Sequence, residues 1–278
     1  MIPYLHFLYL QLGSIKIYTW GFFVSLGFLI TLAILVRQYP KEKNMFIDLA
    51  LYIIIGAIIG SRLFYVAIYA PDTLEAFKNI FKIWEGGMAS FGGILGGASA
   101  MLLYLRKKKL NLYEYAQKIA FILPLGLAIG RIGCFLVNDH PGIKTIAMPF
   151  SLAYPDGARF DLGYLLMLFN AFLFMYFLIL RKRSLDSARD NFSQEGARSL
   201  DFARDNFSQE GKRKISYPQV KQLYLENFLL IYGIGRFLLD FLRIDEPKIA
   251  GLIPSQYGSM LLVALGSYLI IKTKKRNI

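Results

Sequence analysis

Between residues 130 and 142 the chain reads "GRIGCFLVNDHPG". An arginine sits inside an apolar run, and a thiol, an amide, a carboxylate and an imidazole follow it as Cys134, Asn138, Asp139 and His140. Arginine at mid-bilayer depth costs about 2.5–3.5 kcal/mol even on lenient insertion scales, so Arg131 needs a reason to be there. A second set lies in "YGIGRFLLDFLR", where Tyr232, Arg236 and Asp240 recur at i, i+4 and i+8 on one helix face and Arg243 follows three residues on. Arg62 in "GSRLFYV" is a third intruder. Guanidinium forks match the oxygens of a phosphate. An imidazole with an ordinary pKa of about 6.5 suits proton transfer at neutral pH, and His140 is one of only two histidines, the other being His6. The implied chemistry is the holding of an anionic, phosphate-bearing ligand. For Arg236 and Asp240 the competing reading is mutual neutralisation that glues helices together.

These residues sit on elements of one kind. The chain has 278 residues, of which 55% are hydrophobic and 18% charged, against roughly 25% charged in soluble domains. Its apolar runs of about 18–24 residues match the length needed to cross about 30 Å of hydrocarbon. The pattern predicts an all-α polytopic membrane protein, one integral membrane domain over 1–278, with about seven transmembrane helices near 17–37, 46–69, 88–105, 113–136, 161–180, 222–243 and 252–271. Residues 1–16 are too short and too mixed to span and are expected to lie along the interface. No charged region precedes the first apolar stretch, so no cleavable signal peptide is expected.

The formal net charge of +13 would suit nucleic acid, but the cations stand at segment ends, as membrane lipid and the positive-inside bias dictate; no nucleic-acid partner is expected. With the N-terminus outside and the C-terminus inside, the inner segments hold twenty-one Lys and Arg and the outer segments six. In that orientation Arg62, Arg131, Arg236 and Arg243 all fall in the outer halves of their spans. So does the glycine-rich "EGGMASFGGILGG" of 85–97, and Asn138, Asp139 and His140 follow in an outer loop. Scattered helix glue has no reason to keep one level. Gly86, Gly87, Gly92, Gly93, Gly96 and Gly97 permit close helix packing or close backbone approach to a ligand.

Residues 184–213 stand apart. "SLDSARDNFSQEGAR" is followed by "SLDFARDNFSQEGKR", a polar 15-residue unit repeated with two changes. Two copies are too few for a solenoid, and the segment reads as a tolerated duplication in a disordered or weakly helical cytoplasmic loop.

Together these stretches resemble the prolipoprotein diacylglyceryl transferase family, bacterial enzymes that move diacylglycerol from phosphatidylglycerol onto a lipoprotein cysteine. The family signature, roughly G-R-x-G-N-F-x-N-x-E-x-x-G, is met here by Gly130, Arg131, Gly133, Phe135 and Gly142. Asp139 stands for its Glu, and Cys134 and Val137 for its two asparagines. "GSRLFYV" is similar to G-A-R-x-x-Y-V and places Arg62 and Tyr65. "YGIGRFLLDFLRIDEP" resembles Y-G-x-x-R-F-x-x-E-x-x-R-x-x-D through Tyr232, Arg236, Asp240 and Arg243. Gln256 and Ser259 of "SQYGS" are similar to a Q-x-x-S pair.

The resemblance implies diacylglyceryl transfer to the lipobox cysteine of prolipoproteins at the outer face of the bacterial cytoplasmic membrane, with no cofactor and no metal. His140, Asp139 and Arg236 are its expected catalytic residues. Arg131, Arg62, Tyr232, Asp240, Arg243, Gly142, Gly92 and Gly93 are the expected substrate-binding residues. Three departures stand out: Phe91 replaces the histidine of "GGMSFHGG", Trp20 replaces a tyrosine in the first span, and "RFDLGYLL" keeps Arg159 of R-H-P-x-Q-L-Y-E but loses its His and Glu. Phe91 motivates the alternative of a catalytically silent phospholipid-binding relative. An organic-anion transporter would use the same arginines, although no inverted repeat is evident. Cys134, in "RIGC", faintly resembles a lipobox but lies at the end of the fourth span, and is read as a buried structural thiol.

Overall fold

The computed structural model describes residues 1–69, 90–205, 223–244 and 248–275. Gly86, Gly87 and the later part of the duplicated segment lie outside the described residues. The described helices are α1 (Thr19–Gln38), α2 (Lys43–Tyr69, after a 3-10 turn at Pro40–Glu42), α3 (Ser90–Lys107), α4 (Leu112–Val137), α5 (Leu162–Asp205), α6 (Tyr224–Leu239) and α7 (Pro254–Lys275). Among the described residues, four apolar stretches are long enough to cross a membrane: Thr19–Gln38, Pro40–Ala67, Leu112–Val137 and Leu162–Ser187. At 1.5 Å per residue, about 20 residues reach across the hydrocarbon. Their large apolar side chains face outward, among them Leu29, Leu51, Ile59, Phe172 and Met175. Such a surface is tolerable only where lipid is the solvent. The chain is a multi-pass membrane protein.

Strands interrupt the helical expectation. β1 (Tyr9–Leu12) and β2 (Ile15–Tyr18) form an antiparallel hairpin pairing Tyr9 with Tyr18 and Leu12 with Ile15. Gly13, at φ +61°, supplies the left-handed residue that so tight a turn requires. Within residues 1–16, Tyr9–Leu12 and residues 15–16 are therefore strand. Between α4 and α5, β3 (Pro141–Lys144), β4 (Leu152–Tyr154) and β5 (Gly157–Asp161) make an antiparallel sheet in the order β3-β5-β4.

The chain divides into two compact units, Met1–Gly27 with Ala120–Ile278, and Phe28–Ile119. In the second unit α2 and α3 meet along a glycine seam. A Cβ at Gly60 would clash with the Gly92 carbonyl oxygen, and one at Gly96 with that of Gly56. Backbones this close gain dispersion contacts that side chains would hold apart, which is how membrane helices associate without a hydrophobic drive between them. The same unit holds Lys118 between Glu42 (2.9 Å) and Glu114 (2.7 Å), under the rings of Tyr39 and Tyr115.

In the first unit α6 meets α7 at Gly233 and Gly266, whose added Cβ atoms would fall 3.0 Å from the Ser259 carbonyl oxygen and the Leu230 nitrogen. Gln256 is buried here, accepting the Ile253 N–H (3.0 Å) and donating to the Phe237 carbonyl (3.4 Å), so it ties the start of α7 to α6. α5 runs on as helix through the first copy of the duplicated segment and into the second.

Candidate functional site

The site is assembled at the end of α4, where the helix must stop and turn. Asn138 takes the left-handed conformation (φ +53°), one that asparagine tolerates, and its N–H donates to the Cys134 carbonyl at 2.9 Å to close the last turn. Its side-chain amide donates to the carbonyl of Leu5, and the Phe7 N–H donates to Leu136 O at 2.8 Å. The chain then runs through Asp139 and His140 into β3. The His140 carbonyl accepts the Leu162 N–H (3.1 Å) at the start of α5.

Asp161 holds the other side of this turn. Fully buried at the end of β5, it accepts the Tyr164 N–H (2.6 Å) as the N-cap of α5 and the Tyr154 hydroxyl (2.7 Å) from β4. One carboxylate thus locks the sheet to the helix. Gly142 is pinned more tightly. It bridges to Arg243 across an isolated antiparallel pair, and an added Cβ would meet the backbone oxygens of Phe160 and Leu242 at 2.8 and 2.9 Å. Its carbonyl accepts a hydrogen bond from Arg159 Nη1 at 3.0 Å, while Arg159 also grips Asp156.

This pinning brings the end of α6 against the end of α4. α6 ends at Leu239, and Asp240 opens a 3-10 turn, so Arg243 lies on extended backbone and not on the helix face expected from the spacing. The charges still converge. Asp240 is buried, with Oδ2 at 3.2 Å from Arg236 Nε and Oδ1 at 3.3 Å from Arg243 Nε. One carboxylate between two guanidiniums leaves a net positive charge. Arg131 adds to it: Arg131 and Arg243 both lie within electrostatic range of Arg236. Arg131 Nη1 also reaches Cys134 Sγ at 3.6 Å. Tyr232, one turn before Arg236, stacks on Phe228 with ring centroids 5.1 Å apart.

His140 sits amid these cations, its Nε2 3.7 Å from Asp139 Oδ1. Burial pushes its pKa below the ordinary value. Asp139 opposes that shift, and the charges of Arg243, Arg131 and Arg236 reinforce it. His140 is therefore neutral at pH 7, the form that accepts a proton. Cys134, Asp139 and His140 place their ligand atoms within 4.8 Å of one another. The guanidiniums of Arg131, Arg236 and Arg243 act on His140, and it is these cations that suit an anion there.

Of the residues singled out in the sequence, Arg131, Asp139, His140, Gly142, Tyr232, Arg236, Asp240 and Arg243 belong to this unit and are drawn together. Arg62, Gly92 and Gly93 belong to the other. Arg62 is 8% exposed on α2, with its guanidinium 5.7 Å from the centre of the Tyr65 ring. Gly92 is occupied by its approach to Gly60, whereas Gly93 has room, its nearest neighbours standing at 3.6 Å. One contributor, Asp161, has no place in the sequence reading, and a second, Asn138, has there no structural role. Asp161 gave no signal beyond an acidic residue before an apolar run, which is a capping pattern. Asn138 was noticed only as an amide.

Comparison with known proteins follows this geometry. The family model for prolipoprotein diacylglyceryl transferase matches residues 8–197. A Stenotrophomonas maltophilia protein named phosphatidylglycerol–prolipoprotein diacylglyceryl transferase is 27% identical over 281 residues, covering 96% of this chain and 91% of its own length. A Bordetella parapertussis protein of the same name is 27% identical over 96% of this chain and 94% of its own. One from Fusobacterium nucleatum is 34% identical over 55% of this chain and 54% of its own. The arginine cluster beside His140 is thus built on a chain that belongs to the prolipoprotein diacylglyceryl transferase family.

Proposed function

We propose that this protein transfers the diacylglyceryl group of phosphatidylglycerol to the lipobox cysteine thiol of prolipoproteins, forming a thioether and releasing glycerol phosphate. The observation that carries the reading is the convergence of Arg131, Arg236 and Arg243 on His140, from segments about a hundred residues apart, in a member of this family. Relatives spanning nearly the whole chain carry that activity in their names.

The reaction needs a deprotonated thiol and a stabilised leaving group. His140, held neutral, takes the thiol proton. The sulfur attacks the glyceryl carbon, a C–S bond forms as the C–O bond to phosphate breaks, and the departing oxygen keeps the electron pair. Arg131, Arg236 and Arg243 face the negative charge that develops there. Asp240 fixes two of these guanidiniums before the lipid arrives, and preorganisation of this kind costs nothing at the moment of reaction. Asp139 competes with His140 as base or orients its protonated form. Gly142 holds the two halves of the site in register. The resemblance further assigns Arg62, Tyr232, Gly92 and Gly93 to substrate binding.

The Lys and Arg bias supports seven membrane crossings with the N-terminus outside, the C-terminus and the duplicated loop inside, and the site toward the outer face of the bacterial cytoplasmic membrane. The test is diacylglyceryl transfer from phosphatidylglycerol to a lipobox peptide by wild type and by Arg131→Ala and Arg236→Ala. Transfer by wild type that drops by about 10²-fold or more in each variant is expected. Phosphatidylglycerol binding without any transfer would establish a silent relative instead.

A further inference from the structure

The N-terminal hairpin is apolar on the outside. Every residue of β1 is exposed, and Leu10 and Leu12 are 54% and 65% exposed. Tyr9 and Tyr18 pair across the strands at 6.3 Å between ring centroids, and Lys16 lies 5.1 Å over the Tyr9 ring. Phe7 and Leu8 continue the apolar surface on one side. On the other side the hairpin runs without a break into α1, where Trp20, Phe22 and Val24 are exposed too. Residues 1–18 contain no Asp or Glu, and Lys16 is their one lysine or arginine.

We infer that this hairpin inserts its Leu10–Leu12 tip into the headgroup and upper acyl region of an anionic lipid leaflet, and that it holds the site's turn at that depth. The occupant follows from continuity with the lipid-facing surface of α1, the tyrosines and Trp20 at its base, and a positive charge with no carboxylate to oppose anionic headgroups. A two-stranded hairpin exposed on both faces also gains little from its own packing, so the leaflet supplies what the fold does not.

The coupling to the site is covalently short. The residues just before the hairpin carry the two bonds that hold the end of α4, from the Asn138 amide to Leu5 O and from the Phe7 N–H to Leu136 O. The Thr19 N–H then closes back on Leu8 O at 3.2 Å. Asp139 and His140 follow Asn138 directly, so the depth of the hairpin sets the height of the turn that carries them. This second half rests on the proposed transfer reaction; the membrane insertion does not.

The test uses the full chain in phosphatidylglycerol-containing vesicles with an environment-sensitive thiol probe at Leu12→Cys. Wild type, whose only cysteine is the buried Cys134, measures background labelling. Quenching of the probe by brominated lipid, with protection from aqueous iodide, is the expected result. Quenching by iodide with no effect of brominated lipid overturns the insertion. For the coupling, Leu10→Asp, made on the Leu12→Cys background whose probe reports depth, should raise KM for phosphatidylglycerol roughly tenfold, the change that about 1.4 kcal/mol produces, with kcat held within about twofold. The milder Leu10→Ser on the same background should move KM in the same direction. An unchanged KM in a variant whose probe has left the lipid would overturn the coupling while leaving the transferase reading intact.

Discussion

Replacing Asp240 with Asn would remove the charge shared by two guanidiniums without changing the size of the side chain. Asp240 is 2% exposed, and its oxygens stand 3.2 and 3.3 Å from Arg236 Nε and Arg243 Nε. At an effective dielectric of about 20, each pair attracts by about 5 kcal/mol before desolvation is counted. Much of that is offset by the cost of taking three charged groups from water. What is left when one partner of a buried pair is lost is about 3–5 kcal/mol. For a chain of this size that corresponds to roughly 10 °C in the unfolding midpoint. Arg236 and Arg243 would also repel each other, so the phosphate clamp loses its geometry and KM for phosphatidylglycerol rises. Thermal unfolding in detergent and the transfer assay measure the two effects. Asp240→Glu, which restores the carboxylate the family pattern carries, should retain most of both. A cycle with Arg243→Gln should show coupling of about 1–3 kcal/mol. A midpoint shift under about 2 °C for Asp240→Asn, together with an additive cycle, would refute the bridging role.

Other consequences are as direct. His140→Gln should lower kcat/KM for transfer by about 10²–10⁴. In wild type the acid limb of kcat/KM should lie below the ordinary histidine pKa of about 6.5, because burial and three arginines favour the neutral ring. Activity is then full above that limb and lost as pH falls through it, and a limb above pH 7 would exclude His140 as the base. Gly142→Ala pushes a Cβ against two backbone oxygens, so a loss of about 1–3 kcal/mol in thermal stability and a fall in transfer are expected; Gly93→Ala, with neighbours at 3.6 Å, should leave thermal stability unchanged. Asp161→Ala deprives α5 of its cap and strands the Tyr154 hydroxyl, a loss of about 2–4 kcal/mol in unfolding measurements, whereas Asp161→Asn, which keeps an acceptor, should lose less.

The helices were legible because their signal is long. Apolar runs of twenty or so residues place α1, α2, α4 and the start of α5 within a few residues of the expected spans, and α3 and α7 are helices that begin and end within a few residues of theirs. The strands were not, since β3, β4 and β5 run only three to five residues, too short for a period of two to rise above mixed composition. The hairpin was missed for the same reason, although Gly13-Ser14 marks its turn. The end of α6 at Leu239 also went unseen: the i, i+4, i+8 spacing of Tyr232, Arg236 and Asp240 continues to promise a helix that the backbone abandons.

Residue chemistry belongs to the sequence. That Arg131 suits an anionic ligand, that His140 and Asp139 are the candidates for a base, and that the chain resembles this family all follow from side-chain type and order. Proximity belongs to the tertiary structure. Arg131 and Arg236 are 105 positions apart, and no local rule brings them within range of one imidazole. That is decided by contacts whose partners are remote in the chain: the Gly142 backbone against Arg243, and the Asn138 side-chain amide on the Leu5 carbonyl. Each depends on where a second segment happens to pack, which local propensity does not encode.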